Sequence, residues 1–103
     1  MVGWRVAAKI CGLGTAHDVA VAARCGAQYV GFVFYGPSPR SISPETAKAL
    51  AMPLPKSIRP VAVLVNPSDD DLREVMRALP RLLFQLHGTE DFHRVAEIKE
   101  KFN

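Results

Sequence analysis

Four times over, the chain runs through the same order: an apolar, β-rich stretch, a polar turn, then a helical pattern. The apolar stretches are "VAAKIC" (6–11), "YVGFVFY" (29–35), "PVAVLV" (60–65) and "LLFQLH" (82–87). When a helix separates each strand from the next, the chain returns to the same end of the sheet. The strands are then parallel and the crossovers right-handed. Nearly continuous apolar runs are what strands show when both faces of a sheet are covered. The expected class is α/β.

The helices between the strands carry their own marks. Leu72, Val75, Met76 and Leu79 fall at i, i+3, i+4 and i+7, the one-sided stripe of an amphipathic helix. Phe92, Val95, Ile98 and Phe102 repeat it after the fourth strand, and Val19, Ala22 and Ala23 carry the first helix up to Gly26, a glycine suited to a left-handed cap. Thr15 with Asp18, and Ser68 with Asp71, have capping-box spacing. Ser43-Pro44 sets a capping hydroxyl before a proline at the first helical position, and Pro53 stops that helix.

The apolar runs begin at residues 6, 29, 60 and 82, so each unit takes roughly 22–31 residues, close to one eighth of a typical ~250-residue (β/α)8 TIM barrel. Four such units are a half-barrel. An isolated half exposes two strand edges and its inner face. The 103 residues suffice for one small domain, drawn here over 1–103 with no second domain.

Composition removes several functions. The net charge of +3 comes from scattered basic residues with no run that would track a phosphate backbone, which argues against nucleic acid as a partner. No apolar run approaches the ~20 residues that span a bilayer, so no membrane association is expected. The start, "MVGWRVAAKI", lacks the apolar core and cleavage site of a secretory leader. Two cysteines make no disulfide framework, and the expected compartment is the reducing cytoplasm.

In parallel α/β folds function gathers on the loops that follow the strands. Here these are "CGLGT" (11–15), "YGPSPRSIS" (35–43), "NPSDD" (66–70) and "HGTED" (87–91). Cys11 stands where the first strand meets its loop, with Lys9 on the same face. A neighbouring ammonium and the start of the next helix would favour a thiolate, yet a free cysteine is also a good small buried hydrophobe. Position alone leaves both open. Cys25, at a helix end, reads as structural. Arg40, at the end of a loop stiffened by Gly36, Pro37 and Pro39, is either a fork for a substrate carboxylate or a solvated surface arginine. Gln85 and His87 share a face at the end of the fourth strand, as substrate contacts or as a hydrogen-bonded core pair. The histidines and cysteines have no metal-ligand spacing. "GLG" is neither a dinucleotide fingerprint nor a phosphate loop.

Taken together, "KICG", "GFVFYGPSPRSIS", "VAVLVN" and "FQLHG" resemble the phosphoribosylanthranilate isomerase family of tryptophan biosynthesis, in order and at that family's spacing. The one local departure is "GLGTAHD" after the cysteine, where the family has a threonine-rich turn. The resemblance implies a (β/α)8 barrel of which this chain matches the first half. It also implies a cofactor-free Amadori rearrangement of N-(5-phosphoribosyl)anthranilate to 1-(2-carboxyphenylamino)-1-deoxyribulose 5-phosphate. On it, Cys11 is the general base, Arg40 contacts the substrate, and Gln85 and His87 are further substrate contacts. The family's general acid and phosphate site belong to later strands, beyond Asn103. The chain by itself is therefore expected to be inactive, and either to self-associate or to require the C-terminal half. The alternative is a non-catalytic half-barrel module that self-associates. A flavodoxin-like binding domain is disfavoured because a fifth strand and a phosphate-cradling loop are missing.

Overall fold

A computed structural model describes residues 6–102. Met1–Arg5, on which the reading of an absent leader partly rests, lie outside the described residues, as does Asn103. The elements are β1 (Lys9–Ile10), α1 (Ala16–Arg24), β2 (Tyr29–Phe34), α2 (Pro44–Ala51), β3 (Arg59–Leu64), α3 (Asp69–Ala78), β4 (Leu83–Leu86) and α4 (Phe92–Phe102). The sheet has the order β1-β2-β3-β4, every pair parallel. The repeat thus gives a half-barrel α/β layout.

Strand alternation divides the sheet cleanly. Val30, Phe32, Ala62 and Leu64 point to the helices and join Val19, Ala22, Leu72, Val75 and Ile98 in one buried cluster, with Phe84 and Leu86 packed against it. Phe32 and Leu72 are completely buried; truncating Leu72 to alanine is expected to cost about 2–5 kcal/mol. The odd-numbered residues face the other way, and the helices do not cover them. Helices, expected on both faces from the unbroken apolar runs, therefore cover one side only among the described residues, although Val61 and Val63 are buried on the other.

Lys9 Nζ donates a hydrogen bond to Gln85 Oε1 across this second face, joining β1 to β4. Neighbouring strands lie about 4.8 Å apart, so a flat sheet would separate these two by roughly 14 Å. The bond can form only because the sheet curls toward its bare face.

The helix boundaries follow the caps. The Thr15 and Ser43 side chains accept hydrogen bonds from the Asp18 and Thr46 N–H groups. Ser68 and Asp71 complete a reciprocal capping box, whereas Thr15 and Asp18 make only the forward bond. Gly26 adopts φ +88, and Ala27 N–H and Gly26 N–H donate to Ala22 and Ala23 carbonyls, a Schellman closure.

Two expectations need correction. The first strand is shorter than 6–11: its pairing with β2 is confined to Lys9 and Ile10, while Ala8 accepts from Gln28 and Tyr29 N–H and donates its own N–H to Gln28 Oε1. The α4 stripe is only half covered: Ile98 is buried, but Phe92 is 75% and Val95 44% exposed. This helix sits at the sheet edge, and no described element packs on its far side.

Helix α4 docks on the core through Ile98 and Phe102, and ion pairs link it to α3 at the surface. Lys101 Nζ donates to Asp69 Oδ2 at 2.9 Å, Arg94 Nη1 lies 2.9 Å from Asp69 Oδ1 and also pairs with Glu97, and Arg94 Nη2 donates to the Pro67 carbonyl at 3.0 Å. The bond from Lys101, then Arg94, holds the Asp69 carboxyl below the usual range against the effect of burial. Bonding to Asp69 in turn raises Arg94 and Lys101 above their ordinary values.

Candidate functional site

All four predicted site residues lie on the bare face or at its C-terminal rim. A recess of about 440 Å³ opens there, lined by Cys11, Val33, Tyr35, Val63, Gln85 and His87 among others. A larger recess, about 540 Å³, lies between β4 and α4 and is lined mainly by apolar side chains such as Met76, Leu79, Phe84 and Phe102. Reactive groups converge only on the first, which is the candidate site.

Cys11 follows β1 directly and is exposed, which removes the reading of a small buried hydrophobe. What lets the thiol lie there is Gly31 on β2. With Lys9 beside Tyr29 and Ile10 beside Val30, Cys11 comes opposite Gly31, and a Cβ on that glycine would stand 2.9 Å from Cys11 Sγ. Gly12 N–H and Leu13 N–H both donate to the Gly31 carbonyl, at 3.0 and 3.2 Å, turning the chain away after the cysteine. Cys25, read as structural at a helix end, is also exposed. At the C-cap of α1 it contributes its backbone N–H, to the Val21 and Ala23 carbonyls.

Arg40 is brought to Gly12, the residue after Cys11, by the way its loop folds back. Carbonyls two residues apart on a strand face the same edge, so the Val33 carbonyl points where the Gly31 carbonyl does. Ile42 N–H donates to it at 3.0 Å, and Ser41 forms a parallel bridge with Val33. The loop thereby occupies the edge of β2 that β1 leaves free. Tyr35 N–H and Arg40 N–H donate to the Ser41 and Ser38 hydroxyls. The Arg40 side chain then crosses Gly12: a Cβ there would lie 2.7 Å from Arg40 Cδ and 3.0 Å from Nη1. The guanidinium stays exposed one residue from the thiol.

Gln85 faces the recess with its carbonyl held by Lys9, so it is not paired with His87. His87 is exposed at the rim, its N–H closing the sheet on the Leu64 carbonyl at 2.8 Å. The core-pair reading of Gln85 and His87 is therefore replaced by two separate groups. Lys9, expected beside the thiol, is engaged with Gln85.

Sequence reasoning missed Gly31. Its signal was present, because an isolated glycine within a strand marks a close backbone approach. It also missed Asn66 and Glu90, in the third and fourth loops. Asn66 adopts φ +45, and Glu90 accepts from Asn66 N–H at 2.6 Å and Gly88 N–H at 2.8 Å. Burial pushes the Glu90 carboxyl up, but the N–H groups of Glu90 itself, Asn66 and Gly88, with the neighbouring His87, hold it below the usual range. Among the described residues no three His, Cys, Asp or Glu side chains gather as a metal site. No described helix is long and apolar enough to cross a membrane.

A curled parallel sheet with helices on one face is half of the (β/α)8 barrel class, and here its strand-end loops carry a thiol, an arginine and a histidine. The family model for N-(5'phosphoribosyl)anthranilate (PRA) isomerase matches residues 8–103, and the chain belongs to that family. The N-(5'-phosphoribosyl)anthranilate isomerase of Paracoccus denitrificans is 46% identical over 96 residues, covering 93% of this chain and 45% of that protein. The Zymomonas mobilis isomerase is 46% identical over 97 residues, covering 94% of this chain and 46% of that one. A crystal structure of phosphoribosyl anthranilate isomerase in complex with reduced 1-(O-carboxyphenylamino)-1-deoxyribulose 5-phosphate superposes with a TM-score of 0.88 at 36% identity, over 94% of this chain and 50% of that chain. The Thermotoga maritima enzyme gives the same TM-score and identity, over 94% of this chain and 47% of that chain. The chain spans about half the length of the curated relatives it matches.

Proposed function

We propose that this chain supplies the Cys11 side of a phosphoribosylanthranilate isomerase site in tryptophan biosynthesis, working in the cytoplasm without a cofactor. The reaction opens the ribosylamine ring to a Schiff base. A base then takes the C2 proton, and the resulting enolamine passes to the 1-amino-1-deoxyketose. Cys11 is the base, Arg40 binds the anthranilate carboxylate through its fork, and Gln85 and His87 contact the sugar side. No residue of this chain is assigned to the ring-opening acid or to the phosphate.

One observation carries the reading: Arg40, from the second loop, crosses Gly12, the residue that follows the exposed Cys11 at the recess. The crystal structure of a family member with a reduced product analogue supports a phosphosugar–anthranilate ligand for the intact site. The test is Cys11→Ala in the protein as its gene encodes it, followed by loss of substrate fluorescence. Turnover should fall roughly 10²–10⁴-fold, the usual worth of general acid–base catalysis, and Cys25→Ala should leave it intact. Equal rates for wild type and Cys11→Ala would refute the assignment.

The bare inner face and the half-covered α4 favour self-association of the 103-residue chain by itself. One solved relative consists of monomers generated from the dimeric phosphoribosylanthranilate isomerase of Thermotoga maritima. Sedimentation of the chain distinguishes a self-associating species from a monomer.

A further inference from the structure

The third and fourth loops exchange hydrogen bonds in both directions. Glu90 in the fourth loop receives the Asn66 N–H from the third, at 2.6 Å, and the Gly88 N–H from its own, at 2.8 Å. Asn66 Oδ1 in return accepts from Thr89 N–H and Thr89 Oγ1, both at 3.1 Å. The two loops are pressed together where this happens. A Cβ on Gly88 would stand 2.9 Å from Asn66 Nδ2 and 3.0 Å from Asn66 N. Asn66 meets the geometry in a left-handed backbone, φ +45, which asparagine tolerates better than most residues.

The consequence falls on His87. Its own N–H is fixed on the Leu64 carbonyl, at the end of the β3–β4 ladder, and the next N–H, that of Gly88, is fixed on Glu90. The backbone on both sides of the imidazole is thus tied to the third unit, the second tie running through one carboxylate. Glu90 does not line the recess that contains Cys11 and His87. We infer that Glu90 is a positioning residue for the site, a clasp between the third and fourth loops that sets where His87 presents its ring to substrate. A carboxylate suits the task because it is acceptor-only and can serve two backbone donors at once. Glutamine keeps a single acceptor oxygen and would turn an N–H₂ toward one of those donors.

This inference rests on the proposed isomerase reading for its kinetic test, and on geometry alone for its second test. Four forms of the protein as its gene encodes it are compared: wild type, Glu90→Gln, His87→Ala and the double variant. Glu90→Gln should lower kcat/KM roughly tenfold in the wild-type background and less than twofold when His87 is already alanine, because the clasp then has nothing left to position. Equal losses in both backgrounds, or none in either, would overturn the proposal. Asn66→Gly, which keeps the left-handed backbone but removes the Thr89 acceptor, should reproduce part of the effect if Glu90→Gln does not fold. Amide exchange is the second arm. Gly88 and Asn66 N–H should exchange at least tenfold faster in Glu90→Gln, while the β3 amides of Val63 and Leu64 hold their rates. If wild type turns over no substrate, the isomerase reading fails and exchange decides the clasp; unchanged protection at Gly88 and Asn66 refutes it.

Discussion

Gly31→Ala tests whether the thiol's place depends on the missing side chain opposite it. The added Cβ would stand 2.9 Å from Cys11 Sγ, 3.2 Å from its Cα and 3.4 Å from its Cβ. The sulfur has to retreat by about half an ångström to regain ordinary contact. Overpacking of this kind costs about 1–3 kcal/mol, and removing a glycine from a strand returns about 0.5–1 kcal/mol. The net loss should be about 0.5–2 kcal/mol, a fall of several degrees in melting temperature for a domain this size. Since a 1 Å misplacement costs on the order of 10² in rate, kcat should fall roughly tenfold to a hundredfold while the protein stays folded. The assay pairs thermal melts with steady-state turnover, and adds the double variant Gly31→Ala/Cys11→Ala. Removing the sulfur relieves the closest contact, so the double variant should regain at least half of the stability lost by Gly31→Ala relative to its Cys11→Ala parent. Strictly additive stability losses, or a folded Gly31→Ala protein with wild-type kcat, would show that the glycine does not seat the thiol.

Three further outcomes are expected. Arg40→Ala should cost about 1.5–3 kcal/mol of substrate binding or transition-state stabilisation, with Arg40→Lys recovering only part, since lysine lacks the planar fork; unchanged kcat/KM would mean a merely solvated arginine. The 103-residue chain alone should show no isomerase activity and should sediment as an associated species, so a monomer that turns over substrate would refute both statements. Asp69 is lowered in the folded chain, so its contribution is present above the ordinary carboxylate value of about 4 and is lost as pH falls below it. Lys101 is raised, so its contribution is present below about 10.4 and is lost as pH rises past it. Helicity of the chain should therefore decline below about pH 4 and with added salt, and Asp69→Asn should flatten both trends; a parallel decline in wild type and variant, followed by circular dichroism, would remove the ion pairs as the cause.

The parallel order, the caps at Ser43 and Ser68, and the inward-facing odd positions could all be read from the chain, because each depends on residues close in sequence or on strict alternation. Cys11 and Arg40 could be located on their loops but not related to each other, since the approach of Arg40 to Gly12 depends on the second loop returning to the free edge of β2. Gly31 was signalled only as a glycine in a strand, and its meaning required the register that sets it opposite Cys11. The clasp made by Glu90 could not be read locally, for Gly88 N–H lies two residues away but Asn66 N–H reaches the carboxylate only through the β3–β4 pairing. The exposure of Phe92 and Val95 could not follow from spacing, because periodicity shows which face is apolar and not whether a neighbour covers it.

The shortness of β1 has a kinetic consequence for the thiol. β2 and β3 pair along their whole lengths, whereas β1 pairs only at Lys9 and Ile10. Protein structures open locally where few backbone bonds must break, with free energies well below that of global unfolding. The first strand should then breathe on its own, held mainly by the Ala8 and Gly31 carbonyls and the Lys9–Gln85 bridge. The place of the already exposed Cys11 thiol relative to Gln85 would follow that fraying rather than the unfolding of the sheet, so a ligand spanning Cys11 and Gln85 should slow the opening by closing the seam between first and last strands.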